Sequence, residues 1–393
     1  MKTFRVYTII ILIAIIIALY TFEGYIRITN SKKTSEINNS NFLKEKIYKE
    51  KTGKQYDFRT NVQIAEYFIN KGENIIIPFL PHHLRSSSNL DLFHLSGPSN
   101  SKIICCNENG YWSLIDTDKY GFNNPGEEWK KSEIEFVLVG DSFTFGDCVN
   151  RPNDIPSVLR NLTGKAVINL GYRGNGPLME YATLKEYFPE QSNVKNILWL
   201  YYEGNDNYEF TLELKNNILK KYFEDKNFSQ NLKNKQQQID IITKIPLAEV
   251  KEKKDRSKNQ NNFKKQQNIS VGVIEFLKLK KTRAGLRENS KPRPQFKTLL
   301  KLTLEFAKQN NSNFYFVYLP EYERYILNNY KQKNYKKIKR ITKDLNIPFI
   351  DIHKEVFAKQ KNPLKLFPFE LPGHYNSYGY RKVAENIFKN TQR

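Results

Sequence analysis

Three short blocks carry polar side chains to positions where acyl chemistry is feasible. In Glu135-Phe-Val-Leu-Val-Gly-Asp-Ser-Phe-Thr-Phe-Gly146 a run of β-formers ends abruptly in Gly140-Asp141-Ser142. A short apolar run bounded by turn residues reads as a buried parallel strand. A serine just past its carboxyl end lies where open α/β sheets place their sites. A hydroxyl held on such a turn is a nucleophile when a base and an oxyanion site are nearby. The next strand-like run, Ala166-Val-Ile-Asn-Leu170, leads into Gly171-Tyr-Arg-Gly174-Asn-Gly176-Pro177. A third, Asn196-Ile-Leu-Trp-Leu-Tyr-Tyr202, leads into Glu203-Gly204-Asn205-Asp206.

A fourth block, Pro372-Gly373-His374-Tyr375-Asn376-Ser377-Tyr378-Gly379, opens a helical stretch near the C-terminus. Strand–GDS, strand–Gly loop, strand–GND and a late GHxNxxG, in that order, resemble the SGNH (GDSL-type) hydrolase superfamily. The resemblance covers 131–206 and 313–389, with a long insertion between. It implies Ser142 as nucleophile and His374 as the base that takes its proton. It implies an oxyanion hole built from the backbone N–H groups of Ser142 and Gly174 and the side-chain amide of Asn205, with Asp141 and Asp206 as supporting residues. The physics is coherent. Preorganised donors stabilise a tetrahedral oxyanion, and losing one costs ~10²–10³ in rate. Glycine lets the backbone come close to a substrate, and an amide donates without changing protonation state.

One position departs from the pattern. The superfamily usually carries an aspartate three residues before the histidine, where this chain has Leu371. Three arrangements remain open: Glu370 orients the ring, Asp351 orients it, or a backbone carbonyl does so and leaves a Ser–His dyad. A carboxylate fixes the imidazole tautomer and stabilises the imidazolium, so its loss lowers rate. An inactive binding domain is the alternative that Leu371 raises.

The chain has 393 residues and a formal charge of +22. A balance this basic suits an anionic surface. No nucleic-acid-binding motif accompanies it, and Lys, Asn and Ile are abundant throughout, so nucleic acid is not an expected partner. Residues Val6 to Phe22 form 17 uncharged positions, at the short end of the ~17–25 that span a bilayer. A cleaved signal peptide has a shorter apolar core, ~7–15 residues, and a small-x-small site. Tyr20-Thr-Phe-Glu-Gly-Tyr25 supplies no such site, so an uncleaved anchor is expected. Lys2 and Arg5 precede the span, while Arg27, Lys32 and Lys33 follow it. The charge bias is therefore slight; an extracytoplasmic catalytic domain is expected because no other span is visible.

Cys105, Cys106 and Cys148 are too few for a disulfide scaffold, although Cys105 or Cys106 could pair with Cys148 in an oxidising space. No CxxC or HExxH spacing occurs, and His82-His83 read as surface or loop residues. No metal and no cofactor are expected.

The elements that must position these residues follow from the pattern. Residues 1–30 form the anchor, 31–55 a polar tether, 56–130 an N-terminal cap with short strands, and 131–393 the hydrolase-like domain. Within the cap, Ile75–Phe79, Lys102–Cys106 and Tyr111–Ile115 read as strands. An insertion at about 212–293 is rich in Lys, Asn and Gln, too polar to offset chain entropy and so expected to be solvated. Within it, Ile239–Val250 reads as an ordered island and Val271–Leu279 as an amphipathic helix. A helix over Pro294–Gln309, a strand over Asn313–Leu319, a helix over Tyr335–Leu345, a strand over Ile347–Ile352 and a closing helix over Asn376–Lys389 complete the chain. Strands alternating with helices predict a three-layer α/β/α sandwich with a five-stranded parallel, flavodoxin-like sheet. The expected function is that of a membrane-anchored serine esterase acting on an ester-bearing glycan, lipid or small molecule. An O-acyltransferase with the same Ser142 and His374, or an inactive glycan-binding domain, are the alternatives.

Overall fold

The computed structural model describes residues 2–85, 87, 90–252, 255, 293–327, 330 and 333–392. The chain divides into two units, one comprising Met1–Thr52 with Ala248–Ser290, the other Gly53–Leu247 with Lys291–Arg393. In the first, a helix runs over Lys2–Thr52. Its stretch Val6–Tyr25, with mean hydropathy 2.3, is long and apolar enough to cross a membrane. The polar segment, expected as a tether or juxtamembrane helix, continues this helix to Thr52.

The second unit is built on five parallel strands: β4 (Glu133–Gly140), β5 (Ala166–Asn169), β6 (Asn193–Tyr202), β7 (Asn313–Leu319) and β8 (Phe349–Asp351). Their order is β5-β4-β6-β7-β8. After β4 the chain steps to one side, then crosses to the other and proceeds outward. This is the flavodoxin-like order, and its reversal opens a crevice at the carboxyl end of β4. β4 and β6 are near-continuous apolar runs because helices cover both sheet faces. On one face Val137, Val139 and Trp199 are buried with the helices Pro177–Tyr187 and Pro294–Gln309. On the other Phe136, Leu138 and Leu200 are buried with Leu159 and with Val383, Ala384 and Ile387 of the closing helix Ser377–Thr391. Each large side chain so buried contributes ~1.5–3 kcal/mol.

The segment before β4 carries a three-stranded sheet, β1 (Ile75–Ile76), β2 (Lys102–Ile104) and β3 (Leu114–Asp116), in which β2 and β3 pair antiparallel. Phe93, Leu95, Ile103, Ile115 and Phe122 join the same core as Val137 and Trp199. The N-terminal segment thus shares the core of the α/β layers. Part of the polar insertion does so too: the expectation of a solvated excess fails for 219–232, while Ile239 lies in the stretch expected to be an ordered island. Leu219, Tyr222, Leu232 and Ile239 are fully buried. The buried Glu186 carboxylate accepts hydrogen bonds from Ser229 Oγ (2.9 Å) and the backbone N–H groups of Gln230 (2.6 Å) and Leu232 (2.8 Å). The segment is held by these buried side chains together with the Glu186 clamp, which composition does not reveal. The expected helix Val271–Leu279 lies outside the described residues.

Candidate active site

β4 ends at Gly140, and Asp141 turns the chain by accepting the Phe143 N–H at 2.9 Å, capping the short helix Ser142–Phe145. The turn is braced from below: Asn123 donates to the Phe145 carbonyl at 2.7 Å and Asn169 to the Thr144 carbonyl at 3.0 Å. Ser142 is thereby presented, partly exposed, at the crevice. His374 Nε2 lies 2.8 Å from Ser142 Oγ. Its ring packs against Phe143, whose own ring stacks on Tyr202 with centroids 4.0 Å apart. The imidazole is fixed by apolar contact on one side and hydrogen bonds at its edge.

The carboxylate at His374 is Glu108, and neither Glu370 nor Asp351 occupies that place. Glu108 Oε1 is 3.1 Å from His374 Nδ1, and its Oε2 accepts the His374 backbone N–H at 2.6 Å. Glu370 instead accepts from Asn362 at 2.9 Å. Asp351 accepts from Tyr335 Oη, Lys339 Nζ and the Lys354 N–H, which secures the loop after β8. Both carboxylates are spent on local structure. A dyad with a backbone-oriented ring is likewise replaced by this contact.

Glu108 sits between β2 and β3 in a turn that is tied down residue by residue. Asn107 accepts the Gly110 N–H at 3.0 Å and donates to the Asp57 carbonyl, and Asn109 donates to the Cys148 carbonyl at 2.9 Å. Cys106 is disulfide-bonded to Cys148, while Cys105 is free and buried. A Cβ at Gly373 would come 2.6 Å from Glu108 Oε2, so glycine before the histidine leaves room for the carboxylate. Burial of His374 opposes its protonation, but the charge and hydrogen bond of Glu108, aided by Asp147 and Asp141, outweigh it and hold the imidazole up at about 9.

The loops that carry the three expected oxyanion donors leave adjacent strands at one sheet edge: Ser142 after β4, Gly174 after β5 and Asn205 after β6. Gly174 has φ +76° and lies against His82, whose Nδ1 would be 2.2 Å from any Cβ there. Arg85 donates to the Gly174 carbonyl and pairs with Glu209. Burial pushes His82 down to about 4, so the half-buried ring that walls this loop is neutral. Asn205 favours the charged form of the Asp141 carboxyl. Burial, with the charge of Asp147 behind it, raises Asp141 to about 6, and burial together with the charge of Asp141 drives Asp206 well up. Asp206 accepts the Tyr202 N–H at 2.8 Å and so closes the turn that bears Asn205.

A serine, an imidazole and a carboxylate in this chain of contacts can move a proton from hydroxyl to ring and stabilise the resulting imidazolium. Sequence reasoning missed Glu108, His82 and Arg85. For Glu108 a signal existed. A Cys106–Cys148 pairing places residue 108 close to the turn of Ser142, six positions before Cys148. His82 and Arg85 carry no comparable signal.

No family model matches the sequence, and no curated protein matches it. Solved structures do. A lipolytic protein of the G-D-S-L family from Desulfitobacterium hafniense DCB-2 is 15% identical, with a TM-score of 0.35, over 66% of this chain and 99% of its own. A member of the lipolytic protein G-D-S-L family from Veillonella parvula DSM 2008 is 12% identical, with a TM-score of 0.35, over 65% and 97%. The acetyl xylan esterase AlAXEase is 12% identical, again with a TM-score of 0.35, over 65% and 98%.

Proposed function

We propose that the chain is an SGNH-type serine esterase that cleaves an O-linked acyl group from a glycan, a lipid or a small ester, held at a membrane by its N-terminal helix. The observation that carries this reading is the run of contacts from Ser142 Oγ to His374 at 2.8 Å and from His374 to Glu108 at 3.1 Å. Ser142 attacks the ester carbonyl and passes its proton to His374 Nε2. Glu108 holds Nδ1–H and stabilises the imidazolium. The N–H groups of Ser142 and Gly174 and the Asn205 amide receive the oxyanion. His374 then protonates the leaving alkoxide, and water resolves the acyl-enzyme by the same steps in reverse. Leu371, the motive for an inactive binding domain, loses its force because a carboxylate from another part of the chain meets the ring.

The test is labelling of the purified full-length chain with a serine-reactive fluorophosphonate, Ser142→Ala being the control. Labelling confined to the unsubstituted chain is expected. An unlabelled chain, or equal labelling of the variant, would sink the assignment. Adding a sugar acceptor to the acylated enzyme separates hydrolysis from transfer: free acid is the expected product.

A further inference from the structure

Cys106, Cys148 and His374 bring their sulfur and nitrogen atoms within 4.8 Å of one another. Cys148 Sγ is 3.6 Å from His374 Nδ1. Tetrahedral zinc with Zn–S ~2.3 Å and Zn–N ~2.0–2.1 Å requires an S···N separation of about 3.6 Å. The ring nitrogen and one sulfur are therefore already spaced as ligands of one ion. In the folded, oxidised chain the two sulfurs are bonded to each other and offer no thiolate. Cys106 is partly exposed, so a small reductant has access to the bond.

We infer that reduction of the Cys106–Cys148 disulfide creates a site for a thiophilic divalent cation, formed by the two thiolates and His374 Nδ1, that silences the enzyme. The inference rests on Ser142 and His374 being the reacting pair. A dithiol reductant supplies the two electrons and two protons that convert the disulfide to two thiols, and is itself oxidised to a disulfide. Binding of the aqueous cation then releases those two protons and the one on His374 Nδ1, and the sulfurs settle about 3.8 Å apart, as tetrahedral ligands do. Silencing follows from the tautomer. A cation on Nδ1 leaves the ring proton on Nε2, which faces Ser142 Oγ at 2.8 Å. A nitrogen that already bears a proton cannot take one from serine. The cation also takes the place at Nδ1 that Glu108 fills, 3.1 Å away, and that carboxylate oxygen becomes available as a further ligand. A disulfide oxidant, itself reduced to two thiols as the Cys106–Cys148 bond re-forms, would expel the ion and restore the base, so the bond would protect activity wherever such a cation is present.

The full-length chain in detergent is reduced with a dithiol, freed of it without air, and titrated with Co²⁺ alone. Thiolate-to-cobalt charge-transfer absorption saturating at one equivalent is expected, with none from the oxidised chain. Cys105→Ala keeps the signal and Cys148→Ser loses it. His374→Ala, which leaves both thiols in place, weakens Co²⁺ binding at least tenfold. Zn²⁺ should then slow fluorophosphonate labelling of the reduced chain more than tenfold relative to the same chain without metal, a chelator should restore it, and the oxidised chain should be indifferent. A reduced chain without the charge-transfer band, unchanged affinity in His374→Ala, or undiminished labelling of the Zn²⁺-loaded reduced chain would each overturn the inference. Failure of every form to label would instead defeat the esterase reading, and the cobalt titration would still decide the site.

Discussion

Glu108→Gln is the sharpest perturbation of this site, because its two effects oppose each other across pH. The carboxylate uses one oxygen for the His374 ring and the other for the backbone N–H of the same residue. Glutamine has one acceptor oxygen and so can satisfy only one of them. The gap between the ordinary 6.5 and about 9 corresponds to ~3 kcal/mol of preference for imidazolium, and the variant forfeits most of it. His374 must be neutral to act as a base. In the unsubstituted enzyme kcat/KM should therefore rise with pH up to about 9. At pH 7 only ~1% of that enzyme has the neutral ring, whereas the variant, with burial opposed only by Asp147 and Asp141, is mostly neutral. Loss of the orienting carboxylate costs ~10⁴ in the limiting rate of a triad. The deficit measured with an aryl ester should thus be ~10⁴ near pH 10 and only ~10² at pH 7. Stopped assays across this range, corrected for spontaneous hydrolysis, read both numbers. A deficit that is the same at both pH values, or an acid limb that stays in place, would refute the coupling of Glu108 to His374.

The remaining expectations concern single groups. Ser142→Ala and His374→Ala should each abolish ester turnover, and the double variant should be no worse, because residues acting as a unit are not additive; wild-type rates in either would remove that residue from the mechanism. Asn205→Ala should lower kcat by ~10²–10³ with little change in KM, whereas an effect confined to KM would make it a substrate-binding residue. Asp351→Asn should cost ~1–3 kcal/mol in thermal or chemical denaturation, since Tyr335, Lys339 and the Lys354 N–H lose a charged acceptor, and should leave kcat of the folded enzyme within about twofold. Glu370→Gln should likewise leave kcat unchanged; a loss of orders of magnitude in either would reopen the question of the acid. A C-terminally tagged chain should remain with membranes through a carbonate wash, and its recovery in the soluble fraction would make the N-terminal helix something other than an anchor.

The parallel sheet was legible because its strands are buried on both faces, and 313–319 and the helix 294–309 were readable to the residue. The positions of Ser142, Gly174 and Asn205 were legible for the same reason: each follows directly on such a strand. Glu108 has no spacing relation to His374 and reaches the site through tertiary packing of a separate hairpin, so only the Cys106–Cys148 pairing pointed to it. The order of the insertion's first part was hidden as well. Composition counts apolar area, and there the buried carboxylate of Glu186 adds its hydrogen bonds to a few well-placed apolar side chains. His82-His83 read as surface or loop residues because adjacent histidines do not share a helical face as i,i+4 ligands do, and nothing in that spacing signalled that Gly174 would lie against His82.

The sequence distances within the site bear on the order of folding. Ser142 and His374 are 232 residues apart and Glu108 and His374 are 266 apart, against 42 for the two bonded cysteines. Contacts this remote repay the cost of loop closure only after the intervening chain has collapsed, and topologies dominated by them form slowly. The hairpin can therefore be stapled to the serine turn early, while the histidine docks late. Reactivity of Ser142 then becomes a reporter of completed folding, lagging the appearance of sheet structure in a refolding experiment. Partially folded chains, which hold a serine but no base, would pass through synthesis without attacking esters.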